Sequence, residues 1–175
     1  MDQAASLLAS LKPREILAAI KPPVMPGTEQ SGNEANGDDD LVVTLRGLQS
    51  MQPAAKASVL YAPPVDPLGR LQAFGEKVRE TFVEAELMTD DKRPLLLHAT
   101  ILNTIYVKGR DKRGKKKWDK LTIDSRAILD RYEDEVWMEN VKLDKLAICK
   151  MGAKKIETPN GEEDEEYEVA AEVAI

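Results

Sequence analysis

His98 is the only histidine in the 175-residue chain, and Thr100 stands two positions after it in the stretch "RPLLLHATILNTIYVKG". An imidazole titrates near neutrality and can take or give a proton at physiological pH, and a hydroxyl beside it can donate or accept a hydrogen bond. On an extended strand, residues i and i+2 point the same way, about 7 Å apart, so one face would present both groups together. Leu96 and Leu102 are expected on that face, with Leu95, Leu97, Ile101 and Ile105 on the other. A strand from about Leu95 to Val107 that is apolar on both sides belongs in the middle of a sheet. Composition and pattern leave two readings open. Either His98 is a core histidine bonded to the backbone, with Thr100 present because threonine suits strands, or the pair lines a cleft.

The next chemical candidate is "KGRDKRGKKKWDK". It gathers Lys108, Arg110, Lys112, Arg113, Lys115, Lys116 and Lys117 beside Trp118. Such a run can bind a phosphate backbone while the indole stacks on a base, or can serve as a nuclear-import signal, and a solvated charged loop is the plain alternative. The acidic run Glu162 to Glu166 reads as a solvated turn, because it fixes no ligand geometry for a metal. Tyr132 and Trp137 fit helix packing, and Cys149, in a strand pattern without a partner base, reads as buried and inert. The sequence holds no Gly-rich phosphate loop, Ser-His-Asp arrangement or Cys/His metal spacing.

The elements that must position these residues follow from hydrophobic spacing. Leu7, Leu8, Leu11, Ile16, Leu17 and Ile20 recur with a helical period, and Pro13 can open a second helical piece, giving a helical segment over 1–20. Residues 21–40, rich in Pro, Gly, Asn and Asp, predict a flexible loop. The rest of the domain, 41–175, opens with two neighbouring strands, "LVVTLRGLQSM" and "ASVLYAPP", as a hairpin. A helix from Leu68 to Glu86 places Leu68, Leu71, Phe74, Val78 and Phe82 on one face. After the motif strand, Asp124 or Ser125 can cap a short helix carrying Ile128 and Leu129. Strands at Val141 to Gly152 and Glu166 to Ile175, joined through the Pro159-Asn160-Gly161 turn, close the domain. This order predicts an α+β fold, an antiparallel or mixed sheet with helices on one face.

Bulk properties bound the function. One domain with one moderate core fits the length, and a formal net charge of -6 confines any nucleic-acid role to a local patch. A single cysteine excludes an intramolecular disulfide. No basic leader opens the chain and no apolar run approaches a membrane span, so an intracellular protein without membrane partners is the expectation.

His98-Ala99-Thr100-Ile101 resembles the H-x-T-hydrophobic signature of the two-histidine phosphoesterase superfamily. The longer string "LLLHATILNTIY" is similar to its A-kinase anchoring protein 7-like phosphoesterase branch, which is shared with subunit 1 of the activating signal cointegrator 1 complex. The resemblance runs from about Leu41 through "ASVLYAPP", the helix after Leu68, the motif strand and "ILDRYEDEVWMENVKLDKLAI". It implies a bilobal α+β fold in which one H-x-T motif from each lobe faces a shared groove. There one histidine acts as general base and the other protonates the leaving oxygen, the threonines hold phosphoryl oxygens, and cyclic phosphates or RNA ends are the substrates. No metal or other cofactor is needed. Carried onto this sequence, His98 and Thr100 are the catalytic pair. The basic segment with Trp118, read from its own composition, follows the motif strand directly, a position that favours a phosphate or nucleic-acid contact over a solvated loop.

The departure from that pattern is the histidine count. The mechanism needs two, and the first motif is expected upstream of the opening helix, so the chain is expected to represent the C-terminal part of the domain. It would then be inactive alone. The resemblance also implies RNA or phosphodiester ligands, protein partners in a transcription-coactivator or DNA-repair assembly, and a nuclear or cytoplasmic location.

Overall fold

Pro13 ends one helical stretch and opens the next, since its fixed φ suits a first turn and its missing N–H would have had no partner there. The computed structural model describes residues 2–20, 40–107, 121–157 and 163–175. In chain order the elements are α1 (Asp2–Ser10), α2 (Pro13–Ala19), β1 (Val42–Arg46), β2 (Gln49–Ser50), β3 (Val59–Ala62), β4 (Pro64–Val65), α3 (Leu71–Glu84), β5 (Ala99–Asn103), α4 (Arg126–Arg131), β6 (Val136–Lys142), β7 (Lys145–Cys149), β8 (Lys154–Glu157), β9 (Glu163–Glu166) and β10 (Val169–Ala174). The α+β class holds. Instead of one sheet, however, the described strands form four small ones, ordered β4-β1-β6, β2-β3-β5, β10-β7 and β8-β9.

The chain divides into two compact units. One comprises Met1–Leu41, Leu68–Leu95 and Lys142–Ile175, and the other Val42–Pro67 and Leu96–Val141. The core of the first is Leu17, Leu41 and Phe74, with Ile16, Ile20, Leu71, Val78, Leu143 and Ile175 packed around them. This is the apolar face read from the sequence of α3. Burying Phe74, only 3% exposed, contributes about 1.5–3 kcal/mol. Leu68 is the exception, lying before the helix and exposed. In the same unit α1 packs against the antiparallel pair β7 and β10. Cys149, at the end of β7, is exposed, which corrects its expected burial. The sequence expected one strand from Val141 to Gly152. It is interrupted at Leu143, whose amide bonds the carbonyl of Leu41, so that β6 and β7 join different sheets. The acidic run is likewise not a turn, since Glu163–Glu166 pairs as β9 with β8. The expected turn at 159–161 and, apart from Asp40, the expected loop at 21–40 lie outside the described residues.

In the second unit the expected hairpin forms, with a break. Thr44 and Leu45 of β1 face Val65 and Pro64 of β4, and Gln49 and Ser50 of β2 face Tyr61 and Leu60 of β3. Gly47 (φ +74°) sits at the break, and a β-carbon there would stand 2.7 Å from the carbonyl oxygen of Glu133, so only glycine fits without strain. The unit's core is Leu48, Ala57 and Leu60, against Ile123, Leu129, Tyr132 and Trp137. Trp137 packs from β6, not from a helix as expected, and its indole stands 5.5 Å from the Tyr132 ring. The capping of α4 is divided. Asp124 accepts from the Arg126 amide, while the Ser125 hydroxyl bonds the Ala54 carbonyl. Among the described residues no helix is long and apolar enough to cross a membrane.

Candidate active site

The motif strand is shorter than its apolar pattern predicts, and the reason is local competition for its carbonyls. Ahead of β5, the Leu95 carbonyl accepts from the Gln72 side chain at 3.0 Å and the Leu96 carbonyl lies 2.9 Å from Nδ1 of His98. Backbone groups held by side chains are not free for a ladder. At the far end the Asn103 side chain accepts from the Ile105 amide at 3.1 Å and caps a 3-10 turn over Thr104–Tyr106. Thr104 is buried, with its amide on the Ser58 carbonyl and its hydroxyl on the Leu121 carbonyl at 2.7 Å. Asn103 and Thr104 therefore end the strand and anchor it.

Two further expectations change. β5 lies at the edge of its three-stranded sheet, paired with β3 alone. Its residues also do not alternate regularly. Thr100 faces Tyr61, whereas Leu102 faces Leu60, with a register shift between them at Ile101. Directly opposed residues share a face, so Leu102 lies on the side opposite Thr100 instead of beside it. A bulge of this kind commonly re-aims side chains next to functional sites.

His98 and Thr100 are both exposed, so the buried-core reading of the histidine is overturned. They stand on the face that Tyr61 occupies. The Tyr61 ring meets the His98 ring edge-on, with centroids 5.7 Å apart and planes at 73°. Tyr61 itself is buried and donates its hydroxyl to Oε1 of Gln49 at 2.8 Å. Sequence reading missed this pair. The available signal was a polar-tipped aromatic in the otherwise apolar "SVLYAP", where a buried hydroxyl requires a partner.

The contact between Nδ1 of His98 and a carbonyl oxygen defines the tautomer. A carbonyl only accepts, so Nδ1 carries the proton and donates it, which leaves Nε2 as the basic nitrogen of the neutral ring. Nε2 has no hydrogen bond to any described residue. Such a ring can accept a proton from water or a hydroxyl, or deliver one when charged. Lys108, Arg110, Lys112, Arg113, Lys115, Lys116, Lys117 and Trp118 lie outside the described residues. Among the described residues no cluster of three or more His, Cys, Asp or Glu side chains is placed to hold a metal ion.

The chain is thus an α+β domain with an exposed His98 just ahead of β5 and an exposed Thr100 within it. The family model of the AKAP7 2'5' RNA ligase-like domain matches residues 14–175, and the chain belongs to that family. It is also similar to an uncharacterized protein of Schizosaccharomyces pombe, at 32% identity over 126 residues. That match covers 71% of this chain and 56% of the relative, so the chain spans little more than half the relative's length.

Proposed function

We propose that this chain carries one half-site of a two-histidine phosphoesterase and uses it on RNA ends or cyclic phosphodiesters. His98 is the acid/base group and Thr100 the hydroxyl that contacts a phosphoryl oxygen. The observation that carries this reading is the Leu96 carbonyl on Nδ1, which leaves Nε2 of an exposed imidazole as the free basic nitrogen. Family membership supports phosphoester chemistry, and the run from Lys108 to Lys117 supplies charge for a phosphate backbone, with Trp118 available to stack on a base. No metal or cofactor enters this mechanism.

One copy of the chain contains one histidine. Losing one partner of an acid/base pair costs about 10²–10⁴ in rate, so turnover by this chain alone is residual at most. That count favours a second reading, a non-catalytic subunit that binds RNA or protein in a transcription-coactivator or DNA-repair assembly of the nucleus or cytoplasm.

The test is a 2′,3′-cyclic nucleotide hydrolysis assay run beside an RNA-binding titration across salt concentrations. Turnover lost in His98→Ala supports the catalytic half-site. Salt-sensitive binding without turnover, weakened when Lys115, Lys116 and Lys117 are neutralised, supports the binding module. The absence of both turnover and RNA binding overturns the catalytic half-site and the RNA-binding form of the second reading.

A further inference from the structure

The hydrogen bond from Nδ1 of His98 to the Leu96 carbonyl joins residues two apart on an exposed stretch, and by itself it is a weak lock. Water competes for both partners, and the χ2 torsion of histidine has a broad profile that lets the ring turn and exchange its nitrogens. The structure supplies a second restraint on the ring. Tyr61, 6% exposed, lies on the middle strand of β2-β3-β5, and its ring stands at 73° to the imidazole with centroids 5.7 Å apart. This edge-to-face arrangement is favoured by the ring quadrupoles. Tyr61 is also the register partner of Thr100 on one side and of Gln49 on the other. Gln49 accepts the phenolic hydroxyl at 2.8 Å.

A purely packing role does not account for the hydroxyl. The neighbours of Tyr61 along β3 are Val59, Leu60 and Ala62, all buried. Phenylalanine would fill the same space there without a polar atom to satisfy. The Gln49 hydrogen bond fixes the far end of the ring and so sets the plane that His98 meets.

We propose that Tyr61, tethered by Gln49, is the positioning residue that holds the His98 imidazole with Nδ1 on the Leu96 carbonyl and Nε2 facing the reacting group. It acts through His98 and touches no reacting atom. The proposal deepens the acid/base reading of His98 and rests on it for its functional meaning, although the restraint itself can be measured without any substrate.

Because His98 is the only histidine, its two ring nitrogens are read without ambiguity by long-range proton–nitrogen correlation NMR of the full chain above the histidine titration. The expected wild-type result is a ring predominantly protonated at Nδ1. In Tyr61→Leu, with a cooperative melt to show that the fold persists, the ratio of the two tautomers falls several-fold toward the Nε2-protonated form that free imidazole side chains favour in water. Tyr61→Phe and Gln49→Leu remove the same hydrogen bond, so each shifts the His98 ring signals in the same direction, and the double variant shifts them no further than either single one. These two report even where Tyr61→Leu fails to fold, since Gln49 is exposed and Tyr61→Phe keeps the ring.

A wild-type ring protonated at Nε2 overturns the proposal. So does a folded Tyr61→Leu with an unchanged tautomer ratio, or His98 signals unmoved in both conservative variants. Failure of hydrolysis and RNA binding in the assay above would leave these signals as they are, so the two readings fail separately.

Discussion

The indole N–H of Trp137 donates to the carbonyl of Gly47 at 2.8 Å, while the Gly47 amide donates to the Glu135 carbonyl at 2.7 Å. Both groups of one residue are thus bound to the segment around β6, at the break from which β2 leaves toward Gln49. Gly47→Ala would add a β-carbon 2.7 Å from the Glu133 carbonyl oxygen at a φ of +74°. The expected cost is about 2–4 kcal/mol, from strain at positive φ together with a clash against backbone. Urea denaturation of the two proteins checks it, and equal midpoints would mean that the segment at Glu133 yields freely.

Glu86 offers the opposite change. It follows the last turn of α3 with φ +58°, and the amides of Glu86 and Leu87 bond the carbonyls of Val83 and Phe82, each at 3.0 Å. This is a left-handed helix end, where glycine pays no steric cost. Glu86→Gly is expected to stabilise the chain by up to about 1 kcal/mol, net of the entropy glycine adds to the unfolded state. A thermal melt that moves downward would show that the Glu86 side chain holds an interaction worth more than the strain.

The contrast between these positions and the motif strand shows what a sequence can carry. Residue types and spacing alone leave His98 open as a core histidine, and its candidacy with Thr100 comes from the resemblance of His98-Ala99-Thr100-Ile101 to the H-x-T signature. The face of α3, by contrast, was legible because Phe74, Val78 and Phe82 repeat with the helical period. The edge position of β5 was not legible, since it depends on which strands find β3. Nor was the strand's short length, which results from Gln72 and His98 taking two carbonyls that a ladder would have used. The bulge at Ile101 leaves no mark in composition, yet it moves Leu102 to the face opposite Thr100. Tyr61 was hidden for a related reason. Its importance lies in a ring contact across strands, whereas along the chain it is one more residue in an apolar run.

Arg79 of α3 fastens the segment that follows the helix. Its guanidinium donates to the Arg93 carbonyl at 2.6 Å and to the Asp91 carboxylate at 2.7 Å, with Asp90 at 3.7 Å. The side chain is only 20% exposed, so these bonds are better shielded than an ordinary surface pair. Arg79→Met keeps most of the aliphatic packing and removes the donors. It is expected to cost about 1–2 kcal/mol, a charge-assisted bond discounted for the half-exposed carboxylates. Faster amide exchange confined to residues 90–95 would locate the loss, and unchanged exchange there would mean that Gln72 on the Leu95 carbonyl holds the segment alone.

Glu168 gives the chain an acid-sensitive joint. Hydrogen bonds from the Lys150 and Lys154 ammonium groups, reinforced by their charges, hold its carboxyl at about 2, below the ordinary 4.5. Its partners come from the end of β7 and from β8, so one carboxylate ties both strands to the start of β10. A pKa depressed by folding means that the unfolded chain binds the proton more readily. The contribution is therefore complete above about pH 4.5 and is lost as pH falls toward 2. Glu168→Gln removes the titration while keeping the shape of the side chain. Measured by denaturant melts at intervals across this window, the wild type should lose stability more steeply than the variant as pH falls, and the two curves should converge at the acid end. Parallel curves would mean that Lys150 and Lys154 leave Glu168 in solution and that other carboxylates carry the acid response.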